Sequence, residues 1–357
     1  MNKIFNSITI LIFISILSSC GRDEIITSTP ITQTSSSGAF ILSEGGFTPG
    51  TSMLSYYNHT SGSFNVSIFN PGALGITPDG MIKDGDNLYI TEQGSGASGK
   101  IYRTDLNGTV LASSSVGVSP YSLTEANNKL YITNGPANSV AVVDKATLTT
   151  LSTINVGLYP QEILAIGNKV FVCNTSVFSG GTDSTVSVID AATDAVTNII
   201  QVRKTPSALA KTTDNKVLIG CPGDVSNGII FKVDPVTFNK IDSFKNFTKG
   251  FCKDIAVKNS NEIYFISGDV YAEGTVELYN LNSRVSATVI PKISNEINYG
   301  LAFDPNNQLI YVCIAASNFT SSGKFRVFSE VGFLLNEFNI TTGNSIGIAP
   351  RRIVVKN

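Results

Sequence analysis

Lys129-Leu-Tyr-Ile-Thr-Asn134 and Lys169-Val-Phe-Val-Cys-Asn174 are two copies of one short pattern that alternates as a β-strand does. Worn copies recur as Asn87-Leu-Tyr-Ile-Thr-Glu92, Lys216-Val-Leu-Ile-Gly-Cys221, Glu262-Ile-Tyr-Phe-Ile-Ser267 and Leu309-Ile-Tyr-Val-Cys-Ile314, and Gly38-Ala-Phe-Ile-Leu-Ser-Glu44 begins the series. After each copy comes a variable loop, a strand of the kind seen in Val186-Ser-Val-Ile-Asp190, a further strand, and a Val-Gly-x-x-Pro opening to the next copy. The second residues of the copies are Phe40, Leu88, Leu130, Val170, Val217, Ile263 and Ile310, at spacings of 48, 42, 40, 47, 46 and 47. That period is one four-stranded propeller blade. A lone blade cannot bury both faces of its sheet, so the units stack around an axis.

The expected architecture is an all-β, seven-bladed β-propeller over residues 38–357, with strands a to d running outward from the axis. In blade 4 these are Glu162 to Ile166, Lys169 to Cys173, Thr185 to Asp190 and Ala195 to Val202. The a–b turns carry Asn127-Asn128, Gly167-Asn168, Asp214-Asn215, Ser260-Asn261 and Asn306-Asn307, residues that tolerate positive φ and suit tight hairpins. Asp84-Gly85-Asp86-Asn87 falls in the same series and lacks the remaining spacing of a calcium loop. Ile346-Gly-Ile-Ala-Pro350-Arg-Arg-Ile-Val-Val355 repeats the blade opening and an a strand, whereas the repeat at Gly38 begins with a b strand. The C-terminal strand is therefore expected to complete blade 1 and remove its open edge.

Residues 1–19 read as a leader: Lys3 is a positive start, Ile4 to Leu17 is a short apolar run, and Leu17-Ser18-Ser19-Cys20 resembles a bacterial lipobox. Lipidation of Cys20 would hold the mature chain to outer-membrane lipid through several acyl chains. Gly21-Arg22-Asp23-Glu24 resembles a surface-export signal, which implies the cell surface rather than the periplasm. Ile25 to Ser37 is rich in Thr, Ser, Pro and Gln without alternation, so residues 20–37 read as the lipidated cysteine and a disordered tether, with a coil span on the order of 20–25 Å.

The chain has 25 Lys and Arg against 27 Asp and Glu. This balance gives no basic face for nucleic acid. The single histidine, His59, excludes a histidine-rich zinc site and a Ser-His-Asp triad built around any other position. No nucleophile elbow, phosphate loop or metal cluster is present, and nothing calls for a cofactor. Cys173 and Cys313 share one repeat position three blades apart and read as small buried hydrophobes, whereas Cys221 and Cys252 fall in adjacent blades where a disulfide is one option.

Tyr131-Ile-Thr-Asn134, Phe171-Val-Cys-Asn174, Val140-Ala-Val-Val-Asp144, Val186-Ser-Val-Ile-Asp190 and Val156-Gly-Leu-Tyr-Pro160 resemble the YVTN-type repeat of YncE-like propellers. The likeness covers residues 38–357 and fades in blades 1, 6 and 7. Together with the leader, it resembles the BtuG-type surface lipoproteins, which implies capture of cobalamin for a TonB-dependent transporter. No ligand motif transfers residue by residue.

The b–c loops and d–a connections leave one end of every blade, and long loops gathered on a rigid ring are where binding resides. Just past each blade-opening Pro or its equivalent lie Asp79, Tyr121, Gln161 with Glu162, Ser207, Lys253 with Asp254, Tyr299, and Arg351 with Arg352. They are expected to ring the axis at the loop-rich end, with Phe47, Phe178, Tyr271 and Phe319 in the loops around them. Such a mixture suits a large amphipathic ligand such as a corrinoid or a glycan; it equally suits a solvated channel mouth. The leading reading is a non-catalytic binding module. Alternatives are a protein-docking or glycan-binding surface propeller, and a hydrolase or lyase using Glu162 with Asp79 or Asp254 as acid and base. Asp183-Ser184-Thr185 resembles an acceptor motif for O-glycosylation.

Overall fold

The structure is a computed structural model and describes residues 36–46, 48–70, 74–95, 99–222, 228–245, 247, 253–268, 272–343 and 345–357. The leader, Cys20 and most of the tether lie outside the described residues, as do Phe47, Cys252 and Tyr271. Among the described residues there is no helix, and seven antiparallel four-stranded sheets form the seven blades expected from the spacing. Blade 3 is Pro120–Ala126, Lys129–Asn134, Ser139–Asp144 and Thr150–Asn155, and blade 4 is Pro160–Ile166, Lys169–Asn174, Thr185–Asp190 and Ala195–Gln201. The innermost strands of consecutive blades touch in sequence around the axis and return to the first.

The ring closes as expected. Pro350–Lys356 is the a strand of blade 1, paired antiparallel with Gly38–Ser43 from Lys356 opposite Gly38 to Pro350 opposite Ser43.

The Thr shared by the copies of blades 2 and 3, and the Gly of the blade opening where it occurs, have a local physical cause. In blade 3, the Thr133 hydroxyl accepts from the Ser122 amide and donates to the Gln161 carbonyl of blade 4 at 2.7 Å. Thr91 makes the same pair of bonds, to the Gly80 amide and the Tyr121 carbonyl, one blade earlier. Each hydroxyl thus latches one inner strand to the next, and satisfies main-chain groups that burial would otherwise leave unpaired. The Gly of Val-Gly-x-x-Pro lies against the last residue of the b strand: a Cβ on Gly117 would meet Asn134 at 2.6 Å, and one on Gly157 would meet Asn174 at 2.4 Å. Only glycine permits that approach.

The strand-end aspartates are structural. Asp144 accepts from the Ala146 and Thr147 amides, and Asp234 from those of Val236 and Thr237, closing the c–d turns. Asp84-Gly85-Asp86-Asn87 is a hairpin, with the turn at Gly85-Asp86 between Pro78–Asp84 and Asn87–Glu92. Cys173, Cys221 and Cys313 are all buried free thiols. Cys221 packs into the apolar cluster between blades 4 and 5, beside Phe171 and Cys173; its optional partner Cys252 lies outside the described residues.

Deleting Pro350 to Asn357 removes the inner strand of blade 1 and exposes the edge of Gly38–Ser43. We expect a loss of at least about 3–5 kcal/mol, since buried carboxylates also lose their partners. A thermal melt followed by circular dichroism checks this, and an unchanged melting temperature would contradict the closure.

Candidate functional site

Seven inner strands start at one end of the axis, and six of them share a defect there. In blade 2, Pro78 pairs with Glu92 and Met81 with Ile90, so Asp79 and Gly80 face only Thr91. Blades 3 and 4 repeat the shift at Tyr121-Ser122 and Gln161-Glu162. Blades 6, 7 and 1 skip Asp254, Tyr299 and Arg351 from the ladder in the same way. A bulge frees a side chain from strict in-and-out alternation and re-aims it. The residue before the Pro prepares it, since Thr77, Ser119, Tyr159 and Ala349 all hold left-handed φ of 45 to 50°. The candidate residues of the sequence reading are thus mostly bulge residues.

The bulges bring oppositely charged groups together on the axis. Arg351, 6% exposed, donates to Asp254 at 2.6 and 2.8 Å and to the Tyr299 carbonyl at 3.2 Å, and lies 3.6 Å from Glu162. Arg352 donates to Asp79 at 2.9 Å and to both oxygens of Glu162 at 3.0 and 3.1 Å. Asp254 also accepts from the Leu301 amide at 3.1 Å. Lys253 stands 3.5 Å over the face of the Tyr299 ring, a cation–π contact. Two adjacent residues of the closing strand therefore tie blade 1 to blades 2, 4 and 6.

Glu44, the last residue of the first copy of the pattern, also belongs to this cluster. It accepts from the Tyr299 hydroxyl at 3.0 Å. Burial, and next the nearby Asp79 carboxylate, raise its pKa to about 8, although Arg351, Lys253 and the Tyr299 hydrogen bond oppose the rise. The signal was present: Glu44 and Glu92 occupy the register at which blades 3 and 4 carry Asn134 and Asn174. Burial and the Asp79 carboxylate also push the Tyr121 phenol well up, and burial and Glu44 do so for Tyr299, so both are neutral hydroxyls at physiological pH.

Two candidates contribute differently. The Ser207 hydroxyl is buried without a hydrogen-bond partner, and Gln161 is partly buried and enters the network through its main-chain carbonyl. Asp79 is 1% exposed, and its Oδ2 has no partner. Glu162, paired with Asp79 or Asp254 in the acid–base alternative, is separated from each by an arginine that binds both partners, so those pairs are bridged ion pairs. The cavity at the cluster measures about 120 Å³, between Glu162, Asp254, Leu301, Arg351 and Arg352. That is below the usual range of small-molecule sites, roughly 300–1,000 Å³.

No family model matches the chain, and no curated protein does. Solved structures match its shape. A proposed 6-phosphogluconolactonase of Bacteroides fragilis aligns with a TM-score of 0.65 at 13% identity, over 91% of this chain and 99% of that one. A second, from Bacteroides uniformis, gives 0.65 at 14% over 90% and 100%. Hydrazine synthase of Kuenenia stuttgartiensis gives 0.57 at 16% over 71% and 76%. At these identities the likeness defines the class by fold alone, a β-propeller.

Glu44 gives the fold a pH dependence. Unfolded, it deprotonates near 4.5; folded, it keeps its proton to about 8, so the folded chain holds the extra proton between those limits. Its stabilising contribution is complete below the lower value and is lost as pH rises through the upper one, at about 1.4 kcal/mol per unit. Glu44→Gln, neutral at every pH, should match the parent near pH 4 and exceed its stability near pH 9 by about 2–4 kcal/mol. Denaturant titrations at both pH values check this, and parallel pH profiles would refute it.

Proposed function

We propose that this chain is a lipid-anchored propeller, held at the outer membrane through Cys20 and exposed at the cell surface, that captures a large external ligand and passes it to a TonB-dependent transporter without catalysing a reaction. The observation that carries the non-catalytic reading is the axial cluster. Its arginines are spent on its own carboxylates, and its cavity of about 120 Å³ lies below the usual range of small-molecule sites, roughly 300–1,000 Å³. Ligand recognition then falls to the loops around the rim, where Phe319 packs on Tyr299 at 5.4 Å and Phe178 is 76% exposed. A corrinoid is the ligand that the YncE-like repeat and the leader together suggest, with a glycan as the other amphipathic choice.

A second reading has one observation in its favour. The lactonase name of the two Bacteroides structures and a carboxyl that keeps its proton near neutrality beside Arg351 suggest a hydrolase using Glu44 as its acid. The confined cavity weighs against it.

Three measurements on the full chain test the proposal. Labelled palmitate should enter the parent and not Cys20→Ala, and external protease should digest the protein on intact cells. Cyanocobalamin titrated into the detergent-solubilised chain should bind, and Phe178→Ala with Phe319→Ala should weaken binding by about tenfold. Absence of label would sink the anchor, and hydrolysis of a sugar δ-lactone that Glu44→Gln abolishes would replace capture by catalysis.

A further inference from the structure

Between blades 3 and 4, at the end where the loops leave, lies a second cavity of about 380 Å³. Its size falls in the usual range of small-molecule sites, roughly 300–1,000 Å³, unlike the axial one. One register position beside it differs from blade to blade. The c-strand residue paired with the fourth residue of each b-strand copy is Ser187 in blade 4 and Ala141 in blade 3, where blade 1 has Leu54, blade 2 Tyr102, blade 5 Phe231, blade 6 Glu277 and blade 7 Arg326. Those longer side chains occupy their clefts: Tyr102 reaches Glu92, and Arg326 binds Glu296 and Glu337. Ser187 reaches only the Asn174 amide, at 3.0 Å.

The lining has a definite chemistry. Val156, Val196 and Ile199 give an apolar side, and Ile199 is 56% exposed. The exposed side-chain amides of Asn155 and Gln201 make no hydrogen bond to protein among the described residues, and each offers both a donor and an acceptor. The one charged lining group, Asp183, is already committed to the Leu158 amide at 2.8 Å and to the amide and hydroxyl of Thr185. It offers no vacant partner to a cation. One residue beyond Leu158, the Tyr159 ring packs edge-on against Phe178 at 5.8 Å. Phe178 is held at a left-handed φ of 64°, a conformation disfavoured for a bulky residue, on a loop pinned by the Ser176 amide to the Leu158 carbonyl.

We propose that this cavity and the Tyr159–Phe178 lip form a binding subsite for a neutral saccharide. Paired donor and acceptor amides match hydroxyl groups, the apolar side takes the C–H face of a ring, and an exposed aromatic lip gives a further sugar a surface to stack on. The absence of an available charge among the lining groups selects against phosphorylated or acidic sugars. The inference deepens the capture reading and rests on it for the premise that this rim meets outside molecules.

Saturation-transfer NMR and calorimetry on the detergent-solubilised full chain, with maltose, cellobiose and N,N′-diacetylchitobiose as probes, test it. At least one disaccharide should bind in the millimolar range, and Phe178→Ala, on an exposed side chain that leaves the blade core intact, should weaken that binding by about tenfold. Ser187→Phe, which restores the residue type of blade 5, should abolish it while the circular dichroism spectrum is retained. If that variant does not fold, Gln201→Ala on the exposed rim supplies the second arm with an expected weakening of about fivefold. No saturation transfer to any of the three sugars, or binding unchanged by Phe178→Ala and by the second variant, would overturn the proposal. Failure here with retained palmitate labelling and cyanocobalamin binding would remove the saccharide subsite alone; loss of labelling and surface exposure with sugar binding intact would remove the capture reading alone.

Discussion

The structure depends on two adjacent arginines of its last strand. Arg351 and Arg352 sit where the ring closes, and between them they hold carboxylates from blades 2, 4 and 6. Moving two guanidinium groups out of water costs several kcal/mol each, and the cost is offset only when each meets carboxylates in good geometry. Such a cluster adds little net stability compared with an apolar plug of the same shape. What it adds is discrimination. A ring that closed with another register would leave several buried charges unpaired, so the hub penalises wrong closures more than it rewards the right one.

Charge balance then explains the protonated Glu44. Three cations, Lys253, Arg351 and Arg352, share the axis with Asp79, Glu162, Asp254 and Glu44, and a fourth negative charge would lack a matching cation. Burial and Asp79 resolve the excess by keeping a proton on Glu44, the carboxyl that Tyr299, rather than a direct arginine hydrogen bond, engages. The axis therefore reaches neutrality without an outside ion. A site that neutralises itself has no electrostatic demand left for a charged substrate, which turns attention to the rim.

Much of this was legible in the chain. The spacing of the six-residue pattern gave seven blades, and the misplaced blade opening at Pro350 gave the closure, because both are consequences of repetition and repetition survives in sequence. The set Asp79, Tyr121, Glu162, Asp254, Tyr299 and Arg351 was found by counting from the blade-opening Pro, and the structure supplies the reason, a bulge after that Pro. Counting could not show that these side chains would satisfy one another, since their partners lie two or more blades apart in sequence. Glu44 was missed because it lies just past the strand Gly38–Ser43 and not at a blade opening, so counting from the openings never reaches it; its register with Asn134 and Asn174 was the one signal. The cysteine pairing was open from position alone; Cys221 is buried in an apolar cluster, and Cys252 lies outside the described residues.

A repeat fold has to acquire function by departing from its repeat. The latching threonines of blades 2 and 3 and the close-packed glycines of the blade openings are committed to holding neighbouring strands together, so they mark no place for a ligand. The c-strand position that holds Ser187 behaves in the opposite way: its environment is fixed by the sheet, but its occupant ranges from Ala141 and Ser187 through Phe231 to Arg326. A large side chain there fills the cleft to the preceding blade, and a small one opens it at little cost because the ladder and the ring of inner strands remain intact. Clefts between blades are thus independently adjustable in a way that the axis is not, because Arg351 and Arg352 tie the axial carboxylates of several blades together at once. For this chain, selectivity for an outside molecule is physically easier to evolve between blades 3 and 4 than at its centre.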